Sequence, residues 1–175
     1  MGFPEIEVYD DDTVDIVNLG SQLYKVEDIG RSKVEALKEN ILAFTDTEIT
    51  VHNERTDGSN VDTDVLILAV DSIDVRAEIV KNAQFNHLVD GRMGGQTFTV
   101  FYYPELLKDQ YLTDEIFPAE EASELPCSEK AICYNTFGCA SFIAATLKEI
   151  NNGSVPAKQK SFCYLNQLFD QDAHQ

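Results

Sequence analysis

The unbroken apolar run Val65-Leu66-Ile67-Leu68-Ala69-Val70, which stops at Asp71, constrains the fold more than any other feature of this chain. A strand in a sheet with one wet face alternates apolar and polar residues, whereas a strand covered on both faces reads as a continuous hydrophobic stretch, as central parallel strands do. Helices must then flank the sheet, and the segments around the run supply them. Ser32 stands where it can cap a helix, with Glu35 three residues on as in a capping box. Val34, Leu37, Ile41 and Leu42 recur at helical spacing behind it. On the other side, Asp71 or Ser72 opens a second predicted helix that runs to about Ala83.

Short strands alternate with these helices. Glu5 to Tyr9 alternates like a half-buried strand and ends at the acidic triplet Asp10-Asp11-Asp12; Thr47 to His52 alternates again. Phe85 to Val89 and Thr97 to Tyr103 are predicted strands separated by a glycine-rich loop, Asp90-Gly91-Arg92-Met93-Gly94-Gly95. Residues 104–126 read as an acidic, irregular connection. Ser128 to Ile150 is apolar around most of its circumference, as in a helix packed deep in a core, and Asn151-Asn152-Gly153 ends it. Phe162 to Leu168 is a strand or a short helix. The expectation is one α/β domain over 1–175, with an incomplete nucleotide-binding sheet in 1–103, the acidic connection in 104–126, and the long helix and C-terminal segment in 127–175.

Composition excludes some functions. Thirty-one acidic against 13 basic residues give a formal net charge of -18, which repels a phosphate backbone, so no nucleic-acid partner is expected. No stretch approaches the roughly 20 apolar residues needed to span a bilayer, and Met1 to Glu5 has no basic or apolar leader character. No membrane association and a cytoplasmic location are therefore expected. Of the four cysteines, Cys127, Cys133, Cys139 and Cys163, the two within the apolar helix, Cys133 and Cys139, read as structural thiols. His52 and His87 read as structural or solvent-facing.

In an α/β sheet the ligand sits at the carboxyl ends of the strands, and there Asp10, Asp71 and Arg92 follow predicted strands. The segment from Asp10 through Asn18, Leu19, Ser21 and Gln22, followed by Asp28-Ile29-Gly30-Arg31-Ser32-Lys33, resembles the ThiF/MoeB family, bacterial relatives of ubiquitin-activating enzymes. That family reads D-x-D-x-V-x-x-S-N-L-x-R-Q and then D-I-G-x-x-K. Leu68-Ala69-Val70-Asp71-Ser72 resembles its strand ending in aspartate before a helix, and Gly94-Gly95-Gln96-Thr97-Phe98 its glycine-glutamine strand. The match covers roughly residues 5 to 103. Asp90 to Gly95, with the later Pro126-Cys127-Ser128, looks more like the divergent phage and plasmid members than the biosynthetic enzymes.

The resemblance implies a Rossmann-like adenylation fold and an adenylyltransferase that uses ATP and magnesium to activate the C-terminus of a small ubiquitin-like or sulfur-carrier protein. It implies that Asp10 binds the ribose, Asn18 helps to order the nucleotide, Lys33 contacts the phosphates and Asp71 coordinates magnesium. Arg76, on the helix after Asp71, and Arg92 are further candidates, Arg92 as a catalytic cation. Each has a plainer reading beside it: Asp10 in a solvated turn, Lys33 as a first-turn cation, Asp71 as a helix cap. Cys127 resembles the proline-cysteine-threonine context of a thioester cysteine, and is otherwise a half-buried thiol before a helix.

Three departures shape the expectation. The family's phosphate-binding G-x-G-x-x-G is missing, and only nine residues precede Asp10, so the fold is read as N-terminally truncated and the isolated chain as inactive or incomplete unless another polypeptide or a longer native chain supplies that segment. Its exposed strand edge predicts a homodimer. Ser21 stands where the family has an arginine; Arg31 is the nearby candidate to replace it. The paired C-x-x-C motifs of zinc-binding members are absent, so no zinc is expected. The alternative reading is a non-catalytic interaction module that kept the fold and lost ATP chemistry.

Overall fold

The N-terminal alternation forms strand β1, Glu7–Tyr9, which pairs in parallel with β2, Thr50–His52, in the register Val8 to Val51. Both are shorter than predicted, because pairing rather than alternation sets where a strand stops. The structure is a computed structural model that describes residues 5–117, 133–164 and 168–170. It divides into two compact units, Met1–Thr56 and Asp57–Gln175.

Between β1 and β2 the first unit carries 3-10 turns at Ile16–Asn18 and Val26–Asp28, then helix α1, Lys33–Thr45. The predicted capping box does not form. Ser32 precedes α1, yet its hydroxyl is buried without a hydrogen-bond partner among the described residues. Instead the first-turn Lys33 N–H donates to the Asp12 carbonyl at 2.9 Å, since a Thr13–Ser32 bridge lays the acidic loop against the helix start. The apolar stripe also differs in detail: Val34 is buried and Leu42 is 42% exposed, while Asn40 turns inward at 1%. A left-handed Asp46 ends the helix.

The second unit holds a five-stranded sheet in the order β3-β4-β5-β6-β7. Strand β3, Asp62–Leu68, runs parallel to β4, Gln84–Gly94, and helix α2, Ile73–Asn82, connects them. Of the two candidate starts, Asp71 and Ser72, it is Ser72 that caps α2, its hydroxyl accepting the Val75 N–H. Strand β5, Thr97–Pro104, returns antiparallel to β4, and β6, Gln159–Cys163, and β7, Leu168–Asp170, extend the sheet antiparallel.

Two expectations are corrected here. The apolar run is not central among the described residues: β3 is the end strand of its sheet, and Ile67 is 44% exposed while Leu66 and Leu68 on the opposite face are buried. Nor is 90–94 a loop. Asp90 to Gly94 continue β4 opposite Phe101 to Thr97, leaving only Gly95 and Gln96 as a hairpin turn with Gly95 at φ +57°. Gly91 serves packing: a Cβ there would lie 2.9 Å from Ile143 Cδ1 and 3.2 Å from Cys139 Sγ.

The pleat divides the sheet's side chains between two cores. Leu66, Leu68, Leu88, Phe101 and Tyr103 meet Ile79, Val80 and Ala83 from α2 and its end, together with Tyr111 of helix α3, Lys108–Asp114. On the opposite face, Val89, Phe98, Val100 and Tyr102 pack under helix α4, Cys133–Asn151, through Cys139, Phe142, Ile143 and Leu147. The segment 105–114, expected to be irregular, is thus a 3-10 turn and α3, ordered because Tyr111 is wholly buried. In contrast to the expectation of burial all round, α4 lies on the sheet by one side and exposes Tyr134 and Phe137 on the other. No helix among the described residues is long and apolar enough to cross a membrane.

Candidate functional site

In the first unit, the sequence candidates collect where β1 runs into α1. Asp10 directly follows β1, and one of its carboxylate oxygens accepts the Asp12 N–H at 2.8 Å, which folds the acidic triplet into a tight turn. Carboxylate oxygens of Asp10, Asp11 and Asp12 all lie within 4.8 Å of one another. Lys33 is the first residue of α1, where the helix dipole disfavours a cation. Its ammonium is held instead by Asp12, Nζ to Oδ2 at 2.6 Å. Tyr24 leans over the same turn, its hydroxyl pushed up to about 12 by burial and by Asp10, Asp28 and Asp12.

Asn18 and Arg31 are already engaged. The Asn18 side-chain amide oxygen accepts the Asp15 N–H at 2.7 Å, closing the capping box of the first 3-10 turn. Arg31 is shared between Asp28, at 3.0 Å, and Glu39, at 2.5 Å. Ser21, at the family's arginine position, is buried at 4%.

Sequence reasoning missed the carboxylate that organises this corner. Asp28 is 1% exposed and accepts from the Lys25 N–H, the Asn40 amide and Arg31. These bonds, the backbone one first, hold its carboxyl below the usual range, and Arg31 does the same for Glu39. A depressed carboxyl binds its proton more weakly in the folded chain than in the unfolded one. Its contribution is therefore complete above the ordinary carboxylate range and is lost as the pH falls through the lower folded values. Melting of the chain should drop with acid across that window, and Asp28→Asn should flatten the drop. An unchanged acid profile in Asp28→Asn would show that Asp28 carries none of it.

In the second unit, Asp71 lies between the end of β3 and the start of α2. It is exposed, and its carboxylate makes no hydrogen bond or ion pair among the described residues. Arg76 and Arg92 do not share that freedom. Both guanidinium groups converge on Asp90, a carboxylate of zero exposure on β4: Arg76 pairs with one oxygen, and Arg92 Nε, at 2.7 Å, with the other. The Tyr111 hydroxyl donates to Asp90 as well, at 2.8 Å.

Arg92 also donates to the Glu115 carbonyl at 2.8 Å and lies over the Phe101 ring at 4.8 Å. Burial, with Arg92 alongside, brings Arg76 down to about 10, so it stays charged at neutral pH. Asp90 was read as part of a loop; its burial follows from β4 running on past Val89, which places Asp90 on the same face as Leu68 and Phe101.

Cys139 is buried beneath Gly91, its thiol pushed up to about 11 by burial, while Cys133 is exposed at the start of α4. Cys127 lies outside the described residues. His52 stacks on Tyr9 and reaches Glu7 at 3.1 Å; His87 meets the Tyr102 hydroxyl at 3.0 Å.

A mixed α/β chain with parallel β1–β2 and β3–β4 pairs, and polar residues after β1 and β3, has the Rossmann-like class of fold. A sequence model of the ThiF family matches residues 1–156, and the chain belongs to that family. Over 84 residues it is 31% identical to the NEDD8-activating enzyme E1 catalytic subunit of Arabidopsis thaliana, a stretch covering 45% of this chain and 18% of that protein.

Among solved structures, E. coli MccB with ATP is similar at a TM-score of 0.64 and 17% identity, over 95% of this chain and 54% of that one. MccB with AMPCPP and MccA reaches 0.67 at 16%, over 97% and 56%. PaaA reaches 0.66 at 15%, with the same coverage. The chain thus spans just over half the length of these structures, and the likeness to them is one of fold.

Proposed function

We propose that this chain carries the nucleotide-handling residues of a ThiF-type adenylyltransferase that activates the C-terminal carboxylate of a small ubiquitin-like or sulfur-carrier protein. The observation that carries the reading is the turn after β1, where Asp10 ends the strand and Lys33 is tied by Asp12 to the start of α1. Support comes from the family, from the E1 relative and from MccB, a similar fold solved with ATP and with AMPCPP and MccA.

In the proposed reaction a carrier carboxylate oxygen attacks the α-phosphorus of ATP. The bond from that phosphorus to its bridging oxygen breaks, pyrophosphate leaves, and an acyl adenylate remains. Asp10 takes the ribose hydroxyls and Asn18 orders the neighbouring turn. Lys33 is a point charge that offsets negative charge building on the phosphates.

Asp71 suits magnesium: its carboxylate is exposed, uncommitted among the described residues, and a hard oxygen donor. When bound, magnesium neutralises phosphate charge. Arg76 and Arg92 are anchored on Asp90, and Lys33 on Asp12; it is the family spacing that assigns Lys33 to the phosphates. Arg31 joins it only by giving up Asp28 or Glu39. A thioester at Cys127 and a homodimer belong to the same proposal.

A specific observation favours a second reading. Ser21 is small, neutral and buried where the family has a cation, and Arg31 is held by two carboxylates. Both fit a module that kept the fold for protein binding without ATP chemistry. Calorimetric titration of the chain with ATP and magnesium decides between them. Heat that disappears in Asp71→Ala is the expected result; no heat at millimolar ATP sinks the adenylation reading and leaves the interaction module.

A further inference from the structure

Asp71 is exposed and makes no hydrogen bond or ion pair among the described residues; apart from the charge of Arg76 nearby, its position depends on its backbone. One side of that backbone is set by Ser72, which caps α2. The other side is set by Arg76. Its guanidinium forks: one terminal nitrogen pairs with Asp90, and the other donates both to the Val70 carbonyl and, at 3.1 Å, to the Gly91 carbonyl.

The Val70 carbonyl belongs to the same rigid peptide plane as the Asp71 N–H and Cα, so clamping that oxygen places the Asp71 Cα. Arg76 is itself held firmly, at 5% exposure, because Asp90 is also gripped by Arg92 and Tyr111. The chain of contacts runs without a gap from Tyr111 and Arg92 through Asp90 and Arg76 to the peptide that carries Asp71.

We propose that Arg76 is a positioning residue: through the Val70 carbonyl it sets where the Asp71 carboxylate stands for a divalent cation. The inference rests on the adenylation reading for the use of that cation. Charge alone predicts the opposite sign. Two guanidinium groups face one buried carboxylate, and removing a nearby positive charge should tighten cation binding. Loss of the clamp should weaken it, as loss of groups that orient metal ligands does.

The test uses the full chain with Arg76→Gln and Arg76→Lys. Arg76→Gln leaves Asp90 balanced by Arg92, and Arg76→Lys keeps the charge but cannot fork to the carboxylate and both carbonyls. Binding of manganese with ATP is followed by electron paramagnetic resonance, and amide exchange over residues 71–73 is measured on the unliganded protein. Arg76→Gln should weaken manganese–ATP binding by about 10- to 100-fold and speed exchange at Asp71, with Arg76→Lys losing less on both counts. Binding in Arg76→Gln equal to or tighter than wild type overturns the proposal.

If the wild-type chain binds no manganese–ATP, the adenylation reading falls, and exchange alone judges the clamp. Exchange unchanged in both variants then overturns it, and faster exchange in Arg76→Gln upholds the clamp without the nucleotide. Should Arg76→Gln fail to fold, Arg76→Lys carries the same comparison.

Discussion

Asp90→Ala is expected to cost about 3–5 kcal/mol of unfolding free energy, the range for breaking a buried ion pair from one side. The carboxylate is wholly buried and is the shared counter-charge of Arg76 and Arg92. Removing it leaves two guanidinium groups facing each other with no anion between them, neither of them well exposed to water. Against a typical total of about 5–15 kcal/mol for a domain, that is a large fraction.

Tyr111→Phe removes only one hydroxyl donor from the same oxygen and should cost about 1 kcal/mol. Urea denaturation of the three proteins checks both figures. A loss below about 1 kcal/mol for Asp90→Ala, under the range for such a pair, would mean that water reaches the two arginines and that the network is not sealed.

Phe98→Ala should be nearly as costly, at about 3–5 kcal/mol, for a reason that involves no charge. Phe98 is 1% exposed and sits where β5, α4 and β6 meet. Its ring packs edge-on against Phe142 at 4.8 Å and lies 5.8 Å from Phe162 and 6.3 Å from Tyr164. Gly138 on α4 makes room for it: a Cβ there would come within 2.7 Å of the ring. Alanine at position 98 empties that junction, and the surrounding rings are too rigid to collapse into it. Phe98→Leu keeps most of the volume and should lose less than half as much. Equal losses for Ala and Leu would show that the ring geometry, not the filled volume, holds α4 on the sheet.

Much of the candidate site was legible from residue order, because local chemistry set it. Asp10 ends a strand, Lys33 starts a helix and Asp71 precedes a capping serine; each depends on neighbours within a few positions, and the structure places them so. The two buried carboxylates escaped notice. In the sequence Asp28 reads only as the first residue of a family motif and Asp90 as part of a glycine-rich loop, since nothing adjacent in the chain announces that a charged residue will be enclosed. Their partners, Asn40 for Asp28 and Arg76 and Tyr111 for Asp90, lie 12, 14 and 21 residues away.

The element pattern shows the same division. Helical spacing placed α1, a helix-start signal α2, a continuous apolar run β3 and an apolar strand pattern β5, because these are properties of the segment itself. Pairing decided the rest. Asp90 to Gly94 carry turn residues, yet they are strand because β5 lies opposite and supplies the hydrogen bonds. The run 65–68 has the composition of a central strand, yet among the described residues β3 is the end strand of its sheet.

Ser32 and Glu35 have the spacing of a capping box, but the Asp12 carbonyl reaches the helix start instead. By itself, then, the sequence determined the α/β class, the helices and the order of the polar residues behind the strands, since these depend on short-range spacing. Which strand lies at an edge, which loop becomes strand and which carboxylates are buried with arginines were decided only by the tertiary structure, because contacts between distant residues outweigh local preferences of at most about 1 kcal/mol.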